Sequence, residues 1–173
     1  MAIIKVIKYP DDRLKVVSIP VKRIDQNILS FIKDLENTMR AEPGGIGIAA
    51  PQVGNTIRVV IIDVSSKPNI KHNGRLVLIN PEIEKWDGYA VGREGCMSVP
   101  DYTGNVIRAE KINLSAMDET GQVRSYEMVG YEARVAQHEI DHLDGLLFLD
   151  RLVSRRNDLF RRKVYQPSST DNR

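Results

Sequence analysis

The 173-residue chain is short of several things at once: it has one cysteine, three histidines, one tryptophan and three phenylalanines. A single thiol cannot close an internal disulfide, which excludes a disulfide-stapled secreted scaffold. No apolar run approaches the roughly 18 residues that a membrane span needs. The opening Met-Ala-Ile-Ile-Lys-Val-Ile-Lys breaks its apolar stretch with Lys5 and Lys8 and offers no small-residue cleavage site, so it does not read as a secretory signal. Internal repeats, low-complexity tracts and long Pro/Gly/Ser linkers are also missing. What is left, 42% hydrophobic residues over a length able to bury a core unaided, reads as one globular cytoplasmic domain.

Net charge is scarce too, with 25 Lys and Arg against 23 Asp and Glu, or +2, but it is unevenly placed. Residues 151–173 carry seven Lys or Arg against two Asp, a net of +5, which leaves 18 basic against 21 acidic residues, or −3, for residues 1–150. A mildly acidic body gives DNA no footing, whereas the basic end calls for an anionic partner.

Asp25 is placed to cap a helix over about 26–41, with Ile28, Ile32, Leu35 and Met39 on one stripe and Pro43-Gly44-Gly45 ending it. Residues 56–64 are too β-branched and too short for a helix and read as a buried strand, followed by a second over 75–80. The stretch 82–129 is strand-like, with a hairpin turn at 118–121 between 111–117 and 122–128. A helix fits about 131–144, closed by Gly145, and a basic C-terminal helix fits about 154–165. Strands in runs framed by separate helices define an α+β fold, with mixed or antiparallel sheets around the helix of 131–144. Residues 1–166 are expected to form a single catalytic domain and 167–173 a disordered tail.

That central helix carries His138-Glu139-Ile140-Asp141-His142. Positions i and i+4 share one helix face, so both imidazoles can reach one metal. Glu139 points about 100° away from His138, beside a metal rather than onto it, where it can take a proton from water. A mononuclear catalytic site needs a third ligand. His72 lies in a polar loop and reads as solvated, whereas the only thiol, Cys96 in Glu94-Gly95-Cys96-Met97-Ser98, is the better candidate. A third segment, residues 44–54, packs Gly and Ala around Gln52. Its small residues allow β-type pairing with a peptide, and Gln52 could donate an amide N–H to a developing oxyanion.

Together these segments resemble the peptide deformylases. The family motifs G-x-G-x-A-A-x-Q, E-G-C-x-S and Q-H-E-x-D-H appear as Gly45–Gln52, Glu94–Ser98 and Gln137–His142, in the family order. Tyr9-Pro10-Asp11, Asn80-Pro81 and His142–Gly145 are family-like as well. The resemblance implies that Cys96, His138 and His142 bind one divalent metal. It further implies an amidohydrolase that removes the N-formyl group from new polypeptides beginning with formyl-methionine, releasing formate. Glu139 is then the general base and acid, and Gln52 and the Met97 N–H stabilise the oxyanion. Gly45, Ile46 and Gly47, with Glu94 and Gly95, belong to the substrate-binding edge; Glu94 and Gln137 are expected to support rather than react.

The ligand set by itself favours zinc, whereas the resemblance implies Fe(II), with nickel, cobalt or zinc as substitutes. In bacterial members the C-terminal helix can dock on the ribosome, for which Arg155, Arg156, Arg161, Arg162 and Lys163 are suited. The chain departs from the family in having Met97 where Leu is usual, and in lacking an Arg within 101–105 near the peptide path. Two other readings stand beside this one: an H-E-x-x-H metalloendopeptidase, against which Cys96 argues, and a non-catalytic metal-binding domain.

Overall fold

The computed structural model describes residues 2–163. Helix α1 spans Gln26–Ala41 and begins as its sequence dictates, with the Asp25 carboxylate accepting from the Ile28 N–H. Strands β1 (Gly47–Ala49), β2 (Val59–Ile62), β3 (Leu76–Asp87), β6 (Lys111–Met117) and β7 (Val123–Val129) form one antiparallel sheet in that order. Strands β4 (Ala90–Cys96), β5 (Val99–Arg108) and β8 (Leu159–Arg161) form a second, with β5 central. Helix α2 spans Gly130–Leu143 and stops at Gly145, whose φ of 75° suits the left-handed turn after a helix. Among the described residues no helix is long and apolar enough to cross a membrane.

Within the five-stranded sheet β2 is buried on both faces, which explains its unbroken apolar run Val59-Val60-Ile61-Ile62. Successive side chains of a strand point to opposite faces. Val59 and Ile61 therefore pack with Ile32, Leu35 and Met39 of α1. Val60 and Ile62 pack with Ala133, Ala136, Ile140 and Leu143 of α2. Each fully buried aliphatic side chain contributes about 1.5–3 kcal/mol, so α2 is clamped to the sheet by its inner face. A third cluster, Ile7, Leu14, Cys96, Val99, Val106, Leu147 and Phe148, lies beneath the smaller sheet and encloses the thiol.

The expected C-terminal helix is not formed over 154–163. Its only helix-like feature is a single turn closed by the Asp158 N–H donating to the Ser154 carbonyl. The chain then runs as β8, pairing Leu159, Phe160 and Arg161 with Gly104, Thr103 and Tyr102. The reason is non-local: β5 has a free edge, and Asn105 seizes the returning segment through its N–H to Asp158 O and its side-chain amide to Asp158 Oδ1. Residues 164 and 165 of the expected helix, and the expected tail at 167–173, lie outside the described residues.

Candidate metal and catalytic site

The two sheets meet at α2. Its His138 and His142 lie one turn apart, ring centroids 5.2 Å from each other. Cys96 closes β4 at the tight turn into β5, where it pairs with Val99, and this brings its Sγ to 3.4 Å from His142 Nε2. The ligand atoms of Cys96, His138 and His142 all lie within 4.8 Å of one another, and all three residues are buried. One thiol and two imidazoles on a shared apolar floor, with Phe148 stacked on His138, form a donor set that fits a single transition-metal ion. His72, by contrast, is exposed, its Nδ1 accepting from the Gly74 N–H of its own loop.

The Glu94 carboxylate organises this centre. Its Oε1 lies 2.8 Å from His138 Nδ1, which leaves His138 Nε2 for a ligand. Arg108 grips both Glu94 oxygens, at 3.0 and 2.9 Å, and Arg134 adds a bond of 2.7 Å. Burial alone would raise the Glu94 carboxyl, but the hydrogen bonds from His138 and Arg108 hold it well below the usual carboxylate range. Arg108 also reaches Asp141 at 2.6 Å, and Asp141 in turn binds Arg151. Burial works against a charged imidazole at His138, yet its bonds to Cys96 and Glu94 raise it well above its ordinary value. Burial, reinforced by the His138 charge, pulls His142 well below. A cation bound here competes with the His138 proton.

Glu139 is buried, and burial pushes its carboxyl up to about 7. Its Oε2 has no hydrogen-bond partner among the described residues. Gly47 makes room for it: a Cβ on Gly47 would lie 2.9 Å from Glu139 Oε1 and 3.0 Å from Val135 Cγ1. Gln52 is oriented by the Ala49 N–H, which donates to its Oε1 at 3.0 Å. Its amide Nε2 then faces Ser98 Oγ at 3.2 Å and Cys96 Sγ at 3.6 Å. Met97 follows the thiol in the β4–β5 turn, its carbonyl accepting from Lys8 Nζ at 2.9 Å. Gln137 fastens α2 to the strand end before β6, accepting from the Ala109 N–H and donating to the carbonyls of Ala109 and Ala133.

A cleft of about 450 Å³ opens above these groups. β1 and β4 each end their sheets, so two strand edges are unpaired among the described residues, and both contribute to the cleft. Gly45, Ile46 and Gly47 line one wall and Glu94, Gly95, Cys96 and Met97 the other, with Val135, His138 and Glu139 between. All three sequence motifs thus converge. Tyr131, in the first turn of α2, sits at the lip and is 37% exposed.

Sequence reasoning missed Arg108, Asp141 and Arg134. Arg108 had a readable signal, since Gly104, Val106 and Arg108 alternate on β5 and all three are buried. Arginine is not missing from the cleft either: Arg93, Arg134 and Arg162 line it from segments other than 101–105.

A buried thiol–diimidazole cluster beside a buried glutamate, under a cleft bounded by strand edges, has the composition of a metallohydrolase site. The family profile described as Polypeptide deformylase matches residues 3–158. A peptide deformylase of Alkalilimnicola ehrlichii is 43% identical over 164 residues, covering 95% of this chain and 90% of that one. A crystal structure of a peptide deformylase from Legionella pneumophila superposes with a TM-score of 0.81 at 37% identity, covering 90% of each chain. The structure of the Acinetobacter baumannii class I type b enzyme described as Met-Ala-Ser bound has a TM-score of 0.82 at 34% identity, covering 87% of this chain and 99% of that one. The chain belongs to the polypeptide deformylase family. It is a metal-dependent hydrolase that removes the N-formyl group from the formyl-methionine of newly made polypeptides. The endopeptidase and non-catalytic alternatives are not favoured.

Proposed function

We propose that Cys96, His138 and His142 hold one divalent ion and that Glu139, Gln52 and Met97 carry out deformylation beside it. The observation that carries this assignment is the convergence of the only thiol with both histidines of α2 on the floor of the cleft. When bound, the ion supplies a Lewis acid that polarises the formyl carbonyl and makes water more acidic. Glu139 takes a proton from the attacking water and passes it to the amide nitrogen as the C–N bond breaks, leaving formate and the free amine of methionine. Burial, by raising this carboxyl, suits it to both halves of that transfer near neutral pH. Gln52 Nε2 and the Met97 N–H donate to the oxyanion that develops on the formyl group.

Gly45, Ile46 and Gly47 on one side and Gly95 on the other receive the peptide as an extended strand. The Met-Ala-Ser complex of the Acinetobacter relative supports that reading. Glu94 positions His138 from behind. We assign Fe(II) as the ion in the cell, on family grounds, although two imidazoles and a thiol also suit zinc, nickel or cobalt in purified protein. The setting is a cytoplasmic one, with residues 1–166 acting as one catalytic domain.

Ribosome contact is assigned to the exposed Arg155 and Arg156 of the turn before β8. Reversing both to Glu is expected to abolish co-sedimentation with ribosomes at low salt, and unchanged co-sedimentation would remove the assignment.

The catalytic assignment is tested with anaerobically purified protein, by metal analysis and by formate release from formyl-Met-Ala. Glu139→Ala should keep its metal and lose roughly 10²–10⁴-fold in turnover. Near-normal turnover in that variant, or cleavage of internal peptide bonds in place of formate release, would sink it.

A further inference from the structure

Four cationic side chains line the cleft, and three of them are spoken for. Lys8 donates to the Met97 carbonyl. Arg134 is divided between Glu94 and the carbonyls of Val106 and Ala90. Arg93 donates to Asn105 and Thr103 and lies 3.8 Å over the ring of Phe160.

Arg162 differs. Its backbone N–H is tied to the Asp101 carbonyl at 2.8 Å, but its guanidinium has no hydrogen-bond or ion-pair partner among the described residues. From the end of β8 the side chain crosses β5 and comes to rest against β4, so that a Cβ on Gly95 would lie 2.5 Å from Arg162 Nη2. Gly95 pairs with Thr103 in the register of β4 and β5 and precedes the metal ligand Cys96 by one residue. The bare backbone of Gly95 thus leaves space for an unengaged five-donor cation on the cleft wall. That cation lies against the residue next to Cys96 and lines the same cleft as His138 and Glu139.

We propose that Arg162 is a specificity-determining residue that recognises a carboxylate on the peptide, one or two residues beyond formyl-methionine. The proposal rests on the deformylase reading of the cleft. A planar fork of N–H donors matches a carboxylate in a way that a neutral amide does not. The carboxylate has two sources: an Asp or Glu side chain at either position, or the C-terminus of a short peptide. The surrounding charge favours it, because among the described residues Glu42 is the one acid lining the cleft besides the buried Glu94 and Glu139, against Lys8, Arg93, Arg134 and Arg162.

The experiment compares formyl-Met-Asp-Ala-amide and formyl-Met-Ala-Asp-amide with their Asn counterparts, and formyl-Met-Ala-Ser with its amide, on the metal-loaded enzyme at low salt. Both kcat/KM for formate release and calorimetric Kd are measured. One or both side-chain pairs should favour the acid by roughly three- to fivefold, as expected of an exposed ion pair. A preference in the free-acid pair alone assigns Arg162 to the peptide terminus instead, and still supports carboxylate recognition. In Arg162→Ala the preference should fall to about one, Arg162→Lys should restore part of it, and added salt should erode it in the wild type. A wild-type enzyme without preference, or a preference that survives Arg162→Ala, overturns the proposal. Absence of formate release from every peptide would refute the deformylase reading, while the Kd ratios would still decide on Arg162.

Discussion

Glu94 Oε1 sits 2.8 Å from His138 Nδ1, so the residue two before the proposed metal-binding thiol in the chain holds one of the proposed metal-binding histidines. The second motif therefore contributes a candidate ligand and also the group that orients a candidate ligand of the third. Carboxylates in that position fix the tautomer and raise the basicity of the ring. Glu94→Gln should weaken metal retention by about 10–100-fold against a competing chelator. Unaltered retention would show that Glu94 serves only the fold.

Arg108 is the counterweight to two buried acids, Glu94 and Asp141. Removing one partner of a buried charge network leaves the others uncompensated. Arg108→Met is expected to cost about 3–5 kcal/mol in denaturant unfolding. Adding Glu94→Gln and Asp141→Asn to it should recover part of that loss. Additive further losses would contradict the network.

Gly47→Ala tests the space kept for Glu139. The added methyl meets a carboxylate oxygen and Val135 rather than main chain, so the fold should survive with the carboxylate displaced. A displacement of about 1 Å at a reacting group costs on the order of 10²-fold, and the loss should appear in kcat more than in KM. An unchanged kcat would show that Glu139 has freedom the packing does not suggest.

Stability at acid pH should report on Glu36. Arg75 above all, then Arg40, holds its carboxyl below the ordinary value, against a burial effect of opposite sign. A carboxyl group lowered in the folded state stabilises the fold above its unfolded pKa, and that contribution is lost as pH falls through the folded pKa. Glu36→Gln should therefore cost roughly 0.5–1 kcal/mol at neutral pH, and the difference should shrink as pH is taken from about 5 to about 3. Urea midpoints of both proteins across that range decide it, and a constant difference would trace the effect to packing.

Where the sequence was legible, the deciding forces were local or periodic. Asp25 and the stripe Ile28, Ile32, Leu35, Met39 announce α1, because a cap and a buried face are both readable within four residues. The convergence of the three candidate ligands was legible because H-E-x-x-H is a statement about one helix face, and the lone thiol left few competitors. The C-terminal segment was not. Leu159-Phe160 amid arginines satisfies a helix pattern equally well, and what decides is the free edge of β5, some fifty-five residues earlier in the chain. Arg108 lay hidden for a related reason: an arginine on a strand is ordinarily solvated, and only the partners brought by β4 and α2 make its burial tolerable.

The two unpaired edges that flank the cleft carry a consequence for timing. On the proposed binding mode, a guest between β1 and β4 would have to arrive as a single extended strand with its own N–H and C=O groups unspent. A polypeptide whose first residues have already joined a helix or sheet cannot offer them. A site of that kind would sense the conformational age of its substrate, and an N-terminus that folds early would leave the pool of substrates whether or not it still carried its formyl group.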